Sequence, residues 1–454
     1  MTLNVIESNS RPIFHEERLF QELVRLAWPI AVSVLSYSVM TLVDTYFVAR
    51  LGAAEVGGVG LGGLAAFTVL CFGIGLLRAV KIVVAQEVGA GRARSVPGYL
   101  GAGLLVAGGL SLLFTSLALP LAHVLPRLAA GEAVGRHAHD YMLVRIAGTL
   151  PVLAAATLRE ARQGLGDTRS PMWISIIVNL LHIPLNYLLI FRFELGVVGA
   201  AWSTVCVQVL ELALLAAIQR GVGFGLTQAR PRHAREILRV GLANGIEFVL
   251  TVSSFSVLVA LVARMGEADL AAHQISIQVI HFAFLPLVAL GEGASVLSGR
   301  VVGANRDELV PVVARFALRV ALCYALFCAL VLALLGRLLL ARFSSDPHVL
   351  SIGARLLWVA AGFQLFDAID IVLRSVLRGT GDVQVPALQA ITSAWIVVPT
   401  LTYWLGLHLG LGAVGGWLAL TVNIIFGASF LGARTLRGGW RASAKRSRAR
   451  TALA

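Results

Sequence analysis

Apolar residues run through this chain in blocks of twenty or more, separated by short polar connections. Twelve blocks can be drawn, at 26–49, 57–88, 97–120, 141–161, 171–191, 197–219, 240–263, 271–299, 310–341, 349–373, 385–406 and 410–433. At about 1.5 Å per helical residue, each is long enough to cross roughly 30 Å of bilayer hydrocarbon. The blocks lack the apolar–polar alternation over about ten residues that a membrane β-barrel requires. The pattern therefore predicts an all-α membrane protein of about twelve transmembrane helices. Ahead of the first block, Phe14–Arg25 has the spacing of a short amphipathic helix lying on the membrane surface before Pro29. Residues 1–25 carry mixed charge and no short apolar core ending in a cleavage site, so the first span is expected to act as its own insertion signal.

Compared with itself, the chain repeats. Residues 25–92 match 239–306 without a gap at an offset of 214, most clearly in VARLGAAEV (48–56) and VARMGEADL (262–270). GLGDTRSP (164–171) answers GTGDVQVP (379–386) at offset 215, and GVVG (196–199) answers GAVG (412–415) at 216. Six spans recur as six, and an even number per repeat gives both halves the same orientation. The expected organisation is an N-terminal segment 1–25, a six-helix lobe 26–219, a basic linker 220–238, a second lobe 239–435 and a basic tail 436–454. The two lobes are then related by a pseudo-two-fold axis along the membrane normal. Parallel repeats of this kind place substrate and ion sites near the interface of the halves and use rocking for alternating access, which points to a transporter.

Composition agrees with the pattern. The chain is 58% apolar and only 13% charged, a balance that would leave a soluble domain with a very large exposed apolar surface. The net charge of +13 raises the question of a nucleic-acid partner. Lys and Arg, however, concentrate in alternate connections and in the tail, at Arg441, Lys445, Arg446, Arg448 and Arg450, as the positive-inside rule requires with both termini in the cytoplasm. The tail is expected to rest on anionic lipid, and no nucleic-acid partner is expected. Cys71, Cys206, Cys323 and Cys328 lie in apolar blocks without metal-ligand spacing, so they are read as packing residues, with no metal site and no disulfide framework.

Several segments carry a family likeness: LVDTYFVARLG (42–52), VAQEVGAGR (84–92), GLGDTRSP, IPLNYLLIF (183–191), LAAHQISIQ (270–278) and FDAIDIVLRSVLRGTGD (366–382). In order and spacing, from about residue 20 to 435, they resemble the MATE (multidrug and toxic compound extrusion) transporters, closer to the NorM-type branch than to the DinF-type. The resemblance implies a secondary antiporter in the bacterial inner membrane, not an enzyme, a monomer among membrane lipids. It would export diverse organic, mostly cationic compounds in exchange for H⁺ or Na⁺, with no cofactor. The chain shows no Gly-rich ATP loop. Arg78 and Lys81 in the second span leave open a two-lobe flippase or exporter for a lipid-linked oligosaccharide or anionic metabolite.

Ionisable groups inside a bilayer are costly and mark function by default. Asp44 leads them, on one face with Tyr37 and Ser33, while its repeat mate is the apolar Leu258. The fifth span carries Asn179, His182 and Asn186 in a polar stripe, and the resemblance places His182, Asn186 and Thr204 beside Asp44 as the cation-coupling set. His182 stands where the family pattern has Asn, and an imidazole beside a carboxylate suits proton exchange better than Na⁺. In the second half Asp367 matches the acidic position of the tenth helix. Asp370 and Arg374 form an i,i+4 pair that would leave Asp367 free. Thr251 occupies the place of the family's helix-seven Glu, and Glu247 lies one turn earlier as a candidate substitute. Tyr37, Phe67, Thr251, Gln278, His281 and Phe284 are expected to line the substrate cavity. Arg78 and Glu292 occupy equivalent repeat positions with opposite charge and are expected to pair across the lobes.

Overall fold

The helices of the computed structural model follow the apolar blocks, and residues 16–129, 131–221 and 223–452 are described. Among these, eleven helices are each long and apolar enough to cross a bilayer, and one bent pair makes a twelfth span. They are α1 (Glu16–Ala49), α2 (Ala53–Gly89), α3 (Val96–Leu128), α4 (Glu132–Ile146), α5 (Thr149–Gly164), α6 (Arg169–Tyr187), α7 (Gly196–Gln219), α8 (Pro231–Ala263), α9 (Glu267–Gly303), α10 (Val310–Leu340), α11 (Pro347–Gly379), α12 (Gln384–Leu401) and α13 (Ala413–Leu436), followed by the tail helix α14 (Arg441–Ala452).

Three local departures from the expected pattern have physical causes. The block at 141–161 reads as one span, but the chain bends there by 52° between α4 and α5. Pro151 can neither donate to the carbonyl of Ala147 nor tolerate it, so the helix breaks just before it. The repeat-equivalent residue is Phe366, and α11 runs through it unbroken. The second departure is the surface helix expected at Phe14–Arg25. Phe14 lies outside the described residues, and from Glu16 the segment is the beginning of α1, with Pro29 inside the helix. Leu19 and Leu23 are buried against a core that includes Leu297, Val301 and Val302 of α9, a docking that amphipathic spacing alone cannot distinguish from membrane contact. The third lies after Pro184 and after Pro399, where both α6 and α12 widen into π-helical turns, Leu188–Arg192 and Thr402–His408. Such turns are frequent at functional sites.

The described chain divides into two compact units, the first being Val32–Ile246 and the second the chain up to Ala31 together with Glu247 onward. The division falls inside α1 and α8, not in the 220–238 linker. In the first unit the linker is docked rather than loose. Gly225 has φ +64, and a Cβ built on Gly101 of α3 would lie 2.2 Å from its carbonyl oxygen. Glu236 accepts from the Tyr99 hydroxyl at 2.6 Å, and His233 packs its ring on Tyr99 at 4.6 Å. The close approach predicts that Gly101→Ala destabilises the protein by about 1–3 kcal/mol through overpacking against rigid backbone. Thermal unfolding in detergent measures this, and a midpoint equal to wild type would contradict it.

Candidate functional site

The first unit gathers its polar residues where α1, α6 and α7 face one another. Asp44 on α1 is partly buried, while His182 and Asn186 of α6 and Ser203 of α7 are completely buried. The Asn186 side-chain amide donates to Asp44 Oδ1 at 2.5 Å, and Ser203 Oγ donates to Asn186 Oδ1. His182 has Nε2 at 3.2 Å from Ser203 Oγ and Nδ1 at 3.5 Å from Asp44 Oδ1.

These contacts determine where hydrogens sit. The Ser203 hydroxyl hydrogen goes to Asn186 Oδ1 or to the Ala200 carbonyl at 2.8 Å, so Ser203 has only a lone pair to offer His182. Nε2 must then carry the imidazole hydrogen, and a neutral ring turns the bare lone pair of Nδ1 toward Asp44. An ionised Asp44 would face it with another lone pair. The arrangement is favourable when one proton lies between the two, on either partner.

Four other carboxylates of the described spans are paired differently. Glu160 of α5 binds Lys81 Nζ at 2.9 Å, and Glu211 of α7 binds Arg159 at 3.1 Å. In the second unit, Arg374 uses all five of its N–H groups. Nε and Nη2 fork onto Asp370 at 3.2 and 2.8 Å, Nη2 also reaches Gln389 Oε1 at 3.1 Å, and Nη1 donates to the Pro386 carbonyl at 2.9 Å and to Glu247 Oε1 at 3.4 Å. Arg378 donates to the same Glu247 oxygen at 2.8 Å. Each of these carboxylates has an ammonium or guanidinium in contact with it, whereas Asp44 touches a neutral amide and an imidazole, with the Arg145 guanidinium farther off.

Of the coupling set expected from the sequence, Asp44, His182 and Asn186 come together. Thr204 is buried beside them but gives its hydroxyl to Ala200 O at 3.1 Å and faces Tyr141, and Ser203 takes the place at the carboxylate's neighbours. Asp370 and Arg374 pair as their spacing predicts, with Asp367 within electrostatic range of both. Glu247 sits in the ion cluster just described. Tyr37 is partly buried under the Arg159 guanidinium, 5.3 Å from its ring centroid. Phe67 is exposed on the first unit and Thr251, Gln278, His281 and Phe284 on the second. Arg145, close enough to Asp44 to act on its charge and bonded to Gln208 at 3.2 Å, was not singled out from the sequence, nor were Arg159 and Glu211. The signal for all three was present, as charges inside apolar blocks.

A model of the MatE family matches residues 29–188 and 243–404, most of both repeats. The chain belongs to the MatE family. This MATE protein is therefore a multi-pass membrane transporter and not an enzyme. It is 30% identical over 91% of its length to a probable multidrug resistance protein NorM of Bradyrhizobium diazoefficiens, covering 92% of that relative. It is 27% identical to the multidrug resistance protein NorM of Vibrio cholerae, covering 91% of this chain and 94% of that one. Among solved structures, a Vibrio cholerae MATE transporter in its bent form superposes with a TM-score of 0.86 at 20% identity, covering 96% of this chain and 99% of that one. A transporter of the MOP superfamily from Pyrococcus furiosus gives 0.86 at 18% identity, covering 95% and 96%. These likenesses establish the two-lobe fold of the superfamily for this MATE chain.

Proposed function

We propose that this protein is a multidrug exporter of organic, mostly cationic compounds, running as an antiporter on the inward flow of protons, with Asp44 and His182 sharing the transported proton. The observation that carries the choice of ion is the approach of His182 Nδ1 to Asp44 Oδ1 at 3.5 Å, which in the neutral ring assigned above turns a lone pair to the carboxylate. A proton satisfies both groups, while Na⁺ would have to replace its water with this imidazole edge and an oxygen already engaged by Asn186. The distribution of Lys and Arg supports cytoplasmic termini in a bacterial inner membrane, and the chain is read as acting as a monomer. The other reading, export of an anionic cargo by way of Arg78 and Lys81, loses support from the Lys81 ammonium being held by Glu160 and by Gln163 Oε1 at 3.4 Å.

The test is transport of a fluorescent organic cation into inverted membrane vesicles with pH and Na⁺ gradients imposed separately. Uptake follows the pH gradient alone in this reading, and uptake driven by Na⁺ at uniform pH would overturn it. His182→Asn restores the family's residue and keeps a side chain able to bond Ser203. It is expected to leave the amount of folded protein unchanged and to shift the pH dependence of transport, because the shared proton then belongs to Asp44 alone. An unchanged pH profile would make His182 a packing residue.

A further inference from the structure

The polar face of α6 extends beyond the proton pair. Ser175, Asn179, His182 and Asn186 follow at spacings of four, three and four, and all are buried. They therefore form one stripe along the helix. Polar groups in such a segment are costly, so a run of four calls for a use. Three of them have partners along α1 or α7, and Ser175 donates to the Pro171 carbonyl of its own helix at 2.9 Å. Asn186 and His182 serve Asp44, the Asn179 amide donates to Ser36 Oγ at 2.6 Å, and Ser175 faces Tyr37, which also faces Arg159 and Glu211. The file runs from Asp44 to the Arg159–Glu211 ion pair, seven residues of α1 from Asp44 to Tyr37, or roughly 10 Å.

The repeat supplies an independent observation. Arg159 and Arg374 stand five residues before Gly164 and Gly379, at equivalent positions. Arg374 is locked two-pronged onto Asp370 of its own helix. Glu211 has Gly427 as its counterpart at offset 216, where a Cβ would lie 2.3 Å from Asp370 Oδ1. In the first unit the residue one turn before Arg159 is Ala155, and the carboxylate comes from a neighbouring helix by a single contact at 3.1 Å, beside a tyrosine at the end of the Asp44 stripe. An arginine at this position can be neutralised within one helix. The first unit instead takes its carboxylate from a second helix.

We propose that Glu211 is a second proton-carrying carboxylate, which receives the proton leaving the Asp44–His182 pair. This inference rests on the proton-coupled reading of Asp44. In the step, the O–H bond at Asp44 or the N–H bond at His182 Nδ1 breaks and an O–H bond forms on Glu211. The proton passes along the hydroxyls of Ser36, Ser175 and Tyr37 and water between them. Asp44 is left ionised and Glu211 neutral, and Arg159 stays over the Tyr37 ring. Glu211 then gives the proton to water and the ion pair re-forms. The charged and titratable groups facing this exchange are Arg145 at the Asp44–His182 end and Arg159, Tyr37 and Glu160 at the Glu211 end, Glu160 being held by Lys81.

The experiment uses the full-length protein in proteoliposomes as wild type, Glu211→Asp, Glu211→Gln and the double variant Arg159→Met/Glu211→Met. It reads proton-driven transport of a fluorescent organic cation, its pH profile, and binding of that cation. Glu211→Asp is expected to stay within about threefold of wild type. Glu211→Gln and the double variant should lose about tenfold or more in proton-driven transport with binding retained. The double variant separates the roles, since it leaves no unpaired charge. Wild-type transport and pH profile in it would make the pair packing and overturn the proposal, as would loss of cation binding together with transport. If neither neutral variant accumulates, Glu211→Asp decides: a displaced pH profile supports the relay and an unmoved one overturns it. Wild-type transport indifferent to the pH gradient would remove the coupling reading and this inference with it. An unaffected double variant in a proton-driven wild type removes this inference alone.

Discussion

Asp44→Asn should bring efflux to the background of cells lacking the transporter, a loss of about 100-fold or more, while the amount of protein in the membrane stays the same. The substitution keeps the volume of the side chain and its ability to bond Asn186, so packing between α1 and α6 survives. It removes the one group in this cluster that can hold a negative charge and give up a proton. His182 alone cannot replace it, because its Nδ1 would then face an amide that does not titrate. Drug tolerance and dye efflux in expressing cells measure the effect, with a blot of the membrane fraction as the control. Normal tolerance at normal abundance would show that coupling runs elsewhere.

Much of this site is legible in the sequence, and the parts that are not share a cause. The apolar blocks had to be membrane helices because nothing else satisfies their backbone in hydrocarbon. The duplication followed from residues that match at a constant offset. His182 and Asn186 could be grouped because helical spacing places residues of one stripe together, and it was the family resemblance that set that stripe beside Asp44. Spacing cannot say which of two adjacent polar residues faces the stripe's partner. Ser203 and Thr204 are neighbours on α7, and only the first meets His182. Nor can it pair distant residues: Asp370 and Arg374 follow from an i,i+4 interval, whereas Glu247 joins Arg374 from 127 residues away. The break at Pro151 was legible in principle, since proline forbids the bond that a continuous 141–161 helix needs. The docking of the chain before Pro29 and of the linker was not, because both depend on surfaces formed by remote helices.

The ion cluster of the second unit sets the largest expected change in stability. Arg374 is mostly buried, and its five donors end on two carboxylates, a carbonyl and a side-chain amide. Arg374→Met keeps most of the side chain's length but strands Asp370 and leaves Glu247 to Arg378 alone. Breaking a buried pair by removing one partner costs about 3–5 kcal/mol, more than the pair itself contributes over an apolar replacement. Unfolding of the purified variant in detergent should therefore begin at a clearly lower temperature. Adding Asp370→Asn removes the stranded charge while filling the same space against Gly427, so the double variant should recover most of the loss. Arg374→Lys should recover little, since an ammonium is a point charge and cannot fork onto Asp370 while also reaching Gln389 and Pro386. A single Arg374→Met variant as stable as wild type would mean that water already reaches these carboxylates. The cluster would then be a solvated group of charges rather than a lock holding α8, α11 and α12 together.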